Sequence, residues 1–424
     1  MWTLSEESRR GWYEFTSSAR LAVDSIRAHK LRSFLTLLGV IIGVASVILV
    51  GAAIEGLGAY AEESTNKVFG GDSYLVAQIA NAGRMTRKEF FERVRRNKQI
   101  TMDDLEYLQT TNAANSIYSA YRQRSVDIKR DELICEGAGL VGSSATLAQI
   151  RDVPIAEGRF FTEQEERFRQ AVIVIGYEVK TLLFPEGGTP IGKTVKINGR
   201  EFTVIGVQDK LGSAFGRSED KGAFVPVTLF NRLLDPGRNV AIFGRARPDV
   251  KMPLDAAVDL TRAALRSRFH NRPGQPDTFD TLTPDAIRGF IDQVLALVAA
   301  VVVPVTCISL VVGGIVIMNI MLVSVTERTR EIGIRKAIGA RRRDILAQVL
   351  IEAVLMAVLG GAIGVAAGAL LTEAVGRAFE ITMRVTPTYV LLAIGVSSVV
   401  GILSGWYPAS RASRLDPVVA LRAE

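Results

Sequence analysis

The stretch Glu327-Arg328-Thr329-Arg330-Glu331-Ile332-Gly333-Ile334-Arg335-Lys336-Ala337-Ile338-Gly339-Ala340 decides how this chain is built. It directly follows Val294–Thr326, 33 residues without a charge, and it leads into Arg341-Arg342-Arg343-Asp344, after which the chain turns apolar again. Glu331 and Arg335 stand four apart, so on a helix they face each other with the acid on the N-terminal side. Ile334, Ala337 and Ile338 form a small apolar stripe at helical spacing. Gly339 then supplies a C-terminal stop. A short charged amphipathic helix between two membrane spans suits docking to a protein on the cytoplasmic side. The same spacing also fits an ordinary positively charged cytoplasmic loop.

Working outward, the chain predicts four spans. Residues 34–54 are uncharged and long enough for one helix across a hydrocarbon core of about 30 Å. The second span, 291–326, contains a charge-free helix of about 50 Å, longer than the bilayer needs. Its start is marked outside the membrane by Thr283 as cap, Pro284 at the first helical position and Asp285 in the first turn, which predicts a stalk. Pro304 is expected to bend it. The third and fourth spans are 345–372 and 385–410. Small residues recur at four-residue spacing, as Gly39 and Gly43 in the first span, Gly360, Gly364 and Gly368 in the third, and Gly401 and Gly405 in the fourth. Such ridges let helices approach closely, and packing within one subunit is the plainest use for most of them.

Charge distribution sets the topology. Net charge is +7, yet Phe34–Thr326 is nearly neutral; the excess lies in 1–33, in 327–344 and in the C-terminal tail 411–424. Only Arg377 and Arg384 flank the turn between spans three and four. The positive-inside rule therefore places both termini and the 327–344 loop in the cytoplasm and residues 55–290 outside. A nucleic-acid binder would need a basic face on a folded domain, and no such enrichment is visible. The segment 1–33 reads as an uncleaved basic amphipathic helix lying on the bilayer surface or as a basic leader. Cys135 and Cys307 are too separated in setting to form a disulfide framework.

The outer segment reads as mixed α and β. Thr86-x-x-Glu89 and Thr101-x-x-Asp104 mark helix starts. Asn198-Gly199 between Thr194–Ile197 and Glu201–Val207 is a hairpin signal, and Pro253–Phe269 is an amphipathic helix. Gly187-Gly188-Thr189-Pro190-Ile191-Gly192-Lys193-Thr194 satisfies G-x-x-x-x-G-K-[ST], a phosphate-loop pattern. That motif requires a strand before and a helix N-terminus after it, whereas Lys193 leads into the hairpin and Pro190 removes an N–H; a turn into a strand is the reading. His29 and His270 have no ligand-spaced partners, so no metal site is expected. Glu352, about two turns into the third span, is either an interfacial carboxylate or part of a coupling device. The spans contain no set of buried acids for a proton relay, which argues against an ion-coupled transporter.

The 327–340 stretch resembles the coupling segment of the MacB/FtsX family of ABC-transporter permeases. So do Tyr407–Arg422, Gly158-Arg159-Phe160-Phe161 and Ile191-Gly192-Lys193-Thr194, and the similarity runs from about Ala19 to the C-terminus. The resemblance implies a membrane protein of the bacterial inner membrane, with a four-helix transmembrane bundle and an α/β periplasmic domain. That domain would be a porter-like core with a mostly β insertion at about 116–194. It implies that Glu327, Arg328, Glu331, Arg335 and Lys336 make polar contacts with a cytoplasmic ABC ATPase subunit. Ile332, Ile334 and Ile338 would pack there, Gly333 and Gly339 would allow close approach, and Ala340 belongs to the same coupling segment. The chain itself would be non-catalytic and bind no cofactor, ATP and Mg acting in the partner. A second permease copy, a periplasmic membrane-fusion adaptor and an outer-membrane channel are the further partners implied. Export or efflux of a drug, peptide or other substrate by mechanotransmission is the favoured activity. Lipoprotein or lipid extraction of the Lol type, or FtsX-like signalling to a periplasmic partner, are the alternatives. FtsX-like chains usually have a much smaller outer domain than the 236 residues of 55–290. An NTPase built on 187–194 ranks last.

Overall fold

The computed structural model describes residues 30–233, 237, 239–379 and 383–422, so the basic segment expected over 1–33 lies almost wholly outside them. In chain order the helices and strands begin with α1 (Lys30–Phe69), β1 (Ser73–Ala77), α2 (Arg87–Arg96), α3 (Met102–Thr111), β2 (Ser116–Arg130) and β3 (Leu133–Ser143). They continue with α4 (Leu147–Ile150), β4 (Ile155–Gly158), α5 (Glu163–Arg167), β5 (Val172–Ile175), α6 (Tyr177–Leu183), β6 (Thr194–Ile197) and β7 (Arg200–Gln208). Next come β8 (Ser213–Ala214), β9 (Arg217–Ser218), β10 (Gly222–Pro226), α7 (Val227–Leu233), β11 (Ala241–Ala246), α8 (Leu254–Arg268) and β12 (Asp280–Leu282). The chain ends with α9 (Pro284–Glu327), α10 (Thr329–Ala337), α11 (Arg342–Phe379), α12 (Pro387–Ser413) and α13 (Pro417–Arg422).

Two compact units result, one of Met1–Tyr60 with Val294–Glu424, the other of Ala61–Gln293. The first is a helical bundle. Among the described residues four helices, α1, α9, α11 and α12, are long and apolar enough to cross a membrane. Each begins or ends beyond the apolar run that marks it, because the caps lie in polar flanks. Thr283 Oγ1 accepts the N–H of Ala286 at 3.2 Å at the start of α9, and Asp344 accepts the N–H of Arg341 at 3.0 Å at the start of α11. α9 continues through Pro304.

The glycine ridges grip α1 from two sides. A Cβ on Gly39 would stand 2.7 Å from the Cα of Gly313, and one on Gly43 would meet Leu310, so both face α9. Gly360 faces Leu37 and Val40, Gly364 faces Val44, and Gly368 faces Ile48, which seats α11 on the other side of α1. α12 closes on α11 in the same way, with Gly401 against Ala357 and Gly405 against Ala353. Ser397 Oγ adds a hydrogen bond to the carbonyl of Ala357 at 2.7 Å.

The second unit is organised by a ten-stranded sheet in the order β12-β1-β11-β2-β3-β10-β5-β7-β4, with β6 pairing β2 and β7. Its first four strands, all antiparallel, form a split β-α-β arrangement with α3 after β1 and α8 after β11. The core beneath them includes Tyr74, Leu105, Leu108, Tyr118, Ile242 and Leu265. Buried at its centre, the hydroxyls of Tyr74 and Tyr118 reach Thr261 Oγ1 at 2.5 and 2.7 Å. The remaining strands build a second core around Ile128, Leu140, Ile173, Phe202, Val225 and Phe230.

The strands on the two sides of Thr194 share one core. β2 pairs with β11 only through Ser116–Tyr121 and beyond that serves the second core, while β7 and β10 lie after Thr194 yet share that core. The second core thus draws on strands both before and after Thr194. The reason is nonlocal: β10 pairs in parallel with β3, and β5 in parallel with β7. Such pairings leave no mark in a local hydrophobic pattern.

Candidate functional site

The junction between α9 and α11 is built around Arg328. Its backbone (φ −101°, ψ 14°) breaks helical geometry and separates α9 from α10. The hydrogen-bond ladder nonetheless bridges the break, the N–H of Arg328 bonding Ser324 O and the N–H of Ile332 bonding Arg328 O, each at 3.1 Å. Thr329 Oγ1 donates back to the carbonyl of Thr326 at 2.8 Å. α10 stops at Gly339, whose φ of +107° suits glycine.

The inner side of α10 is locked to the bundle. Arg328 Nη1 lies 3.4 and 3.5 Å from the two carboxylate oxygens of Glu352, which is buried on α11. Arg335 Nη1 donates to Gln348 Oε1 at 2.7 Å. Lys336 Nζ donates to the carbonyls of Ser413 and Leu415 at 2.6 and 2.7 Å, and loss of hydration there lowers its pKa. Ile332 is buried, and a Cβ on Gly333 would come within 2.6 Å of the Ala420 methyl on α13. A cavity of about 160 Å³ remains between Arg328, Glu331, Arg335, Gln348 and Glu352.

The outer side is open. Ile334 is 43 % exposed and Ile338 82 %, and Glu331, Ala337 and Gly339 are exposed beside them. Glu327 is exposed at the end of α9, and Ala340 is partly covered. The structure thus divides the residues expected to face a partner. Arg328, Ile332, Gly333 and Lys336 serve the chain's own packing, while Glu331, Ile334, Ile338 and Gly339 face outward. Sequence reasoning did not find the partners on the inner side. Glu352 was singled out without its arginine, and the stretch around Ala420 gave no sign that it covers Gly333.

In the outer unit, the 187–194 loop turns into β6, as its chemistry requires. The N–H groups of Gly192 and Lys193 already bond Val204 O and Pro190 O at 2.8 and 3.1 Å. The Lys193 ammonium lies 5.6 Å from the centre of the Phe184 ring. The N–H groups next to the lysine, which a phosphate cradle would use, are therefore taken by the chain's own carbonyls. A cavity of about 820 Å³ lies among Arg93, Arg96, Arg262, Phe279, Asp280 and Phe290. Arg93 and Arg96 are matched by Asp280, and Arg262 by Asp277. Among the described residues no cluster of three metal-ligating side chains occurs.

Comparison with known proteins agrees with this architecture. The MacB-like periplasmic core domain matches residues 33–264, and the FtsX-like permease C-terminal domain matches residues 303–417. The chain is 34 % identical, over 96 % of its length, to the macrolide export ATP-binding/permease protein MacB of Neisseria meningitidis. It is 36 % identical over 95 % of its length to the protein of the same name from Bdellovibrio bacteriovorus. In both cases it spans 61 % of the relative's length. The periplasmic region of MacB from Actinobacillus actinomycetemcomitans is similar over 54 % of this chain and 95 % of that one, at 20 % identity and a TM-score of 0.42. At that score the likeness has no weight, and the family rests on the sequence matches. With its MacB-like outer core and FtsX-like membrane half, the chain belongs to the MacB/FtsX family of ABC-transporter permeases.

Proposed function

We propose that this chain is the non-catalytic permease subunit of an exporter, driven through α10 by an ATP-binding partner on the cytoplasmic side. One observation supports the reading above the others. α10 leaves the Ile334–Ala337–Ile338 stripe uncovered while its opposite side is tied to the bundle by Ile332, Gly333, the Arg328–Glu352 pair and Lys336. An apolar stripe next to Arg330 and Arg341–Arg343 is poorly placed for lipid chains and well placed for a groove in a protein. Glu331 at its edge adds a polar contact, and Gly339 permits close approach. ATP and Mg act in the partner, and this chain binds neither.

A partner that grips α10 differently in two nucleotide states moves the bundle, since only differential engagement shifts an equilibrium. α9 then serves as the rod. It runs as one helix from Pro284 to Glu327, about 66 Å, its hydrogen-bond ladder missing one donor at Pro304, and Gly39 on Gly313 couples it to α1. Two ATPase modules imply two permease copies. The substrate leaves from the periplasmic side through an adaptor and an outer-membrane channel. The test uses the chain with its ATPase partner in lipid. Ile338→Asp places a charge in the stripe without touching the chain's own packing, so it should reduce stimulation of ATP hydrolysis about tenfold or more and leave the permease folded. Unchanged stimulation and transport in both Ile338→Asp and Glu331→Ala would remove the coupling role.

A further inference from the structure

The cavity of about 820 Å³ in the outer unit lies where α2, α8, β12 and the first turns of α9 converge, and its volume suits a small organic molecule. Its charge is one-sided. Four guanidinium groups line it, those of Arg84, Arg93, Arg96 and Arg262, against two carboxylates, Asp277 and Asp280. The carboxylates are spent on the fold. Asp280 accepts from Arg93 Nη1 at 2.8 Å, from the N–H of Ala80 at 3.2 Å and from Asn97 Nδ2 at 3.1 Å. Asp277 accepts from Arg262 on one oxygen and from Arg266 on the other.

The donors are not spent, since each guanidinium carries several N–H groups. Arg262 gives Asp277 only its Nε, and half of its side chain stays exposed. Arg96 gives its Nε to Asn97 Oδ1 at 2.9 Å, and its Nη2 stands 3.8 Å from Asp280, beyond hydrogen-bond reach. Among the described residues the Arg84 side chain makes no ion pair or hydrogen bond. Beside these donors Val258, Leu282 and Phe290, each partly exposed, give an apolar wall. The Phe290 ring is fixed there against the backbone of Gly83, where a Cβ would come within 2.4 Å of it. Gly289 lines the cavity too and leaves it open, for a Cβ there would meet nothing within 4 Å.

We propose that this cavity binds a small organic anion with an apolar body. Arg84, Arg96 and Arg262 take its carboxylate or phosphate ester, and its ring or hydrocarbon part lies on Phe290 and Val258. A cation is disfavoured, because both carboxylates already have their donors and the surplus charge is positive. An anion without an apolar part would leave the wall of Val258, Leu282 and Phe290 in water and gain nothing from it. The site does not rest on the coupling role of α10, and it is tested without an ATPase partner.

The test uses the full chain in nanodiscs of phosphatidylcholine with the photoreactive anion para-benzoylbenzoate and its neutral counterpart para-benzoylbenzamide. After irradiation, digestion and mass spectrometry, the anion should label peptides within 80–96 and 277–293 about tenfold more than the amide does. Excess naphthoate should displace it, and inorganic phosphate at the same concentration should not. Gly289→Trp fills the cavity from a position with free space around it, and Arg84→Gln/Arg96→Gln removes charge while keeping the Arg93–Asp280 pair. Each should lower the labelling about fivefold or more, with amide exchange of the outer unit as in the wild-type chain. Equal labelling by the amide overturns the proposal. So does labelling that Gly289→Trp leaves unchanged, or displacement by inorganic phosphate as readily as by naphthoate, which would mean an anion site with no apolar half.

Discussion

At the scale of single residues, two kinds of position decide behaviour. Gly39 is the first: any side chain there must displace the backbone of Gly313, which cannot move as a rotamer does. Gly39→Leu should cost the bundle about 1–3 kcal/mol or more, read as a lower thermal midpoint in lipid. Gly43→Ala meets only the Leu310 side chain and should cost less. Glu165 is the second. The Arg159 guanidinium, with two contacts of 2.7 Å, and then the Thr162 N–H draw its carboxyl from 4.5 to about 2. The folded value lies below the unfolded one, so the stabilisation is complete above about pH 4.5 and is lost as pH falls toward 2. Because Arg159 is half exposed, Arg159→Gln should remove only about 1 kcal/mol, seen as faster amide exchange over 162–168 at neutral pH and as an acid transition displaced upward. The glycine spacing was legible in the sequence; which glycine met which helix was not, since spacing gives a face and not a neighbour.

At the scale of elements, local chemistry was the reliable guide. The capping boxes at Thr86 and Thr101 both start helices, and Asn198 and Gly199, at φ of 48° and 78°, make the turn between β6 and β7. The α10 helix was readable for the same reason, from Glu331–Arg335 spacing and the stop at Gly339. What it touches was not readable. Gly333→Val should push α13 off α10, because its Cβ would overlap the methyl of Ala420. Amide exchange over Pro417–Arg422 should then rise about tenfold, while α11 and α12 stay protected. An unchanged exchange pattern would mean that α13 is held elsewhere.

At the scale of the whole molecule, the positive-inside rule gives an orientation that a single experiment checks. A cysteine at Ala340, in a chain without Cys307, should resist an impermeant maleimide in intact cells and react once the membrane is opened. Reaction in intact cells would put α10 outside and end the coupling proposal. The sequence by itself determined the four apolar helices, the charged helix between the second and third, and the α/β character of the outer unit. These follow from composition and period, which act over one helix or one strand. Tertiary structure alone decided that β7 and β10 share one core with β2 and β3, that Arg328 is spent on Glu352, and that Phe90 and Phe91 on α2 lie exposed. Each depends on a partner far away in the chain, and no local pattern encodes which distant side chain will arrive.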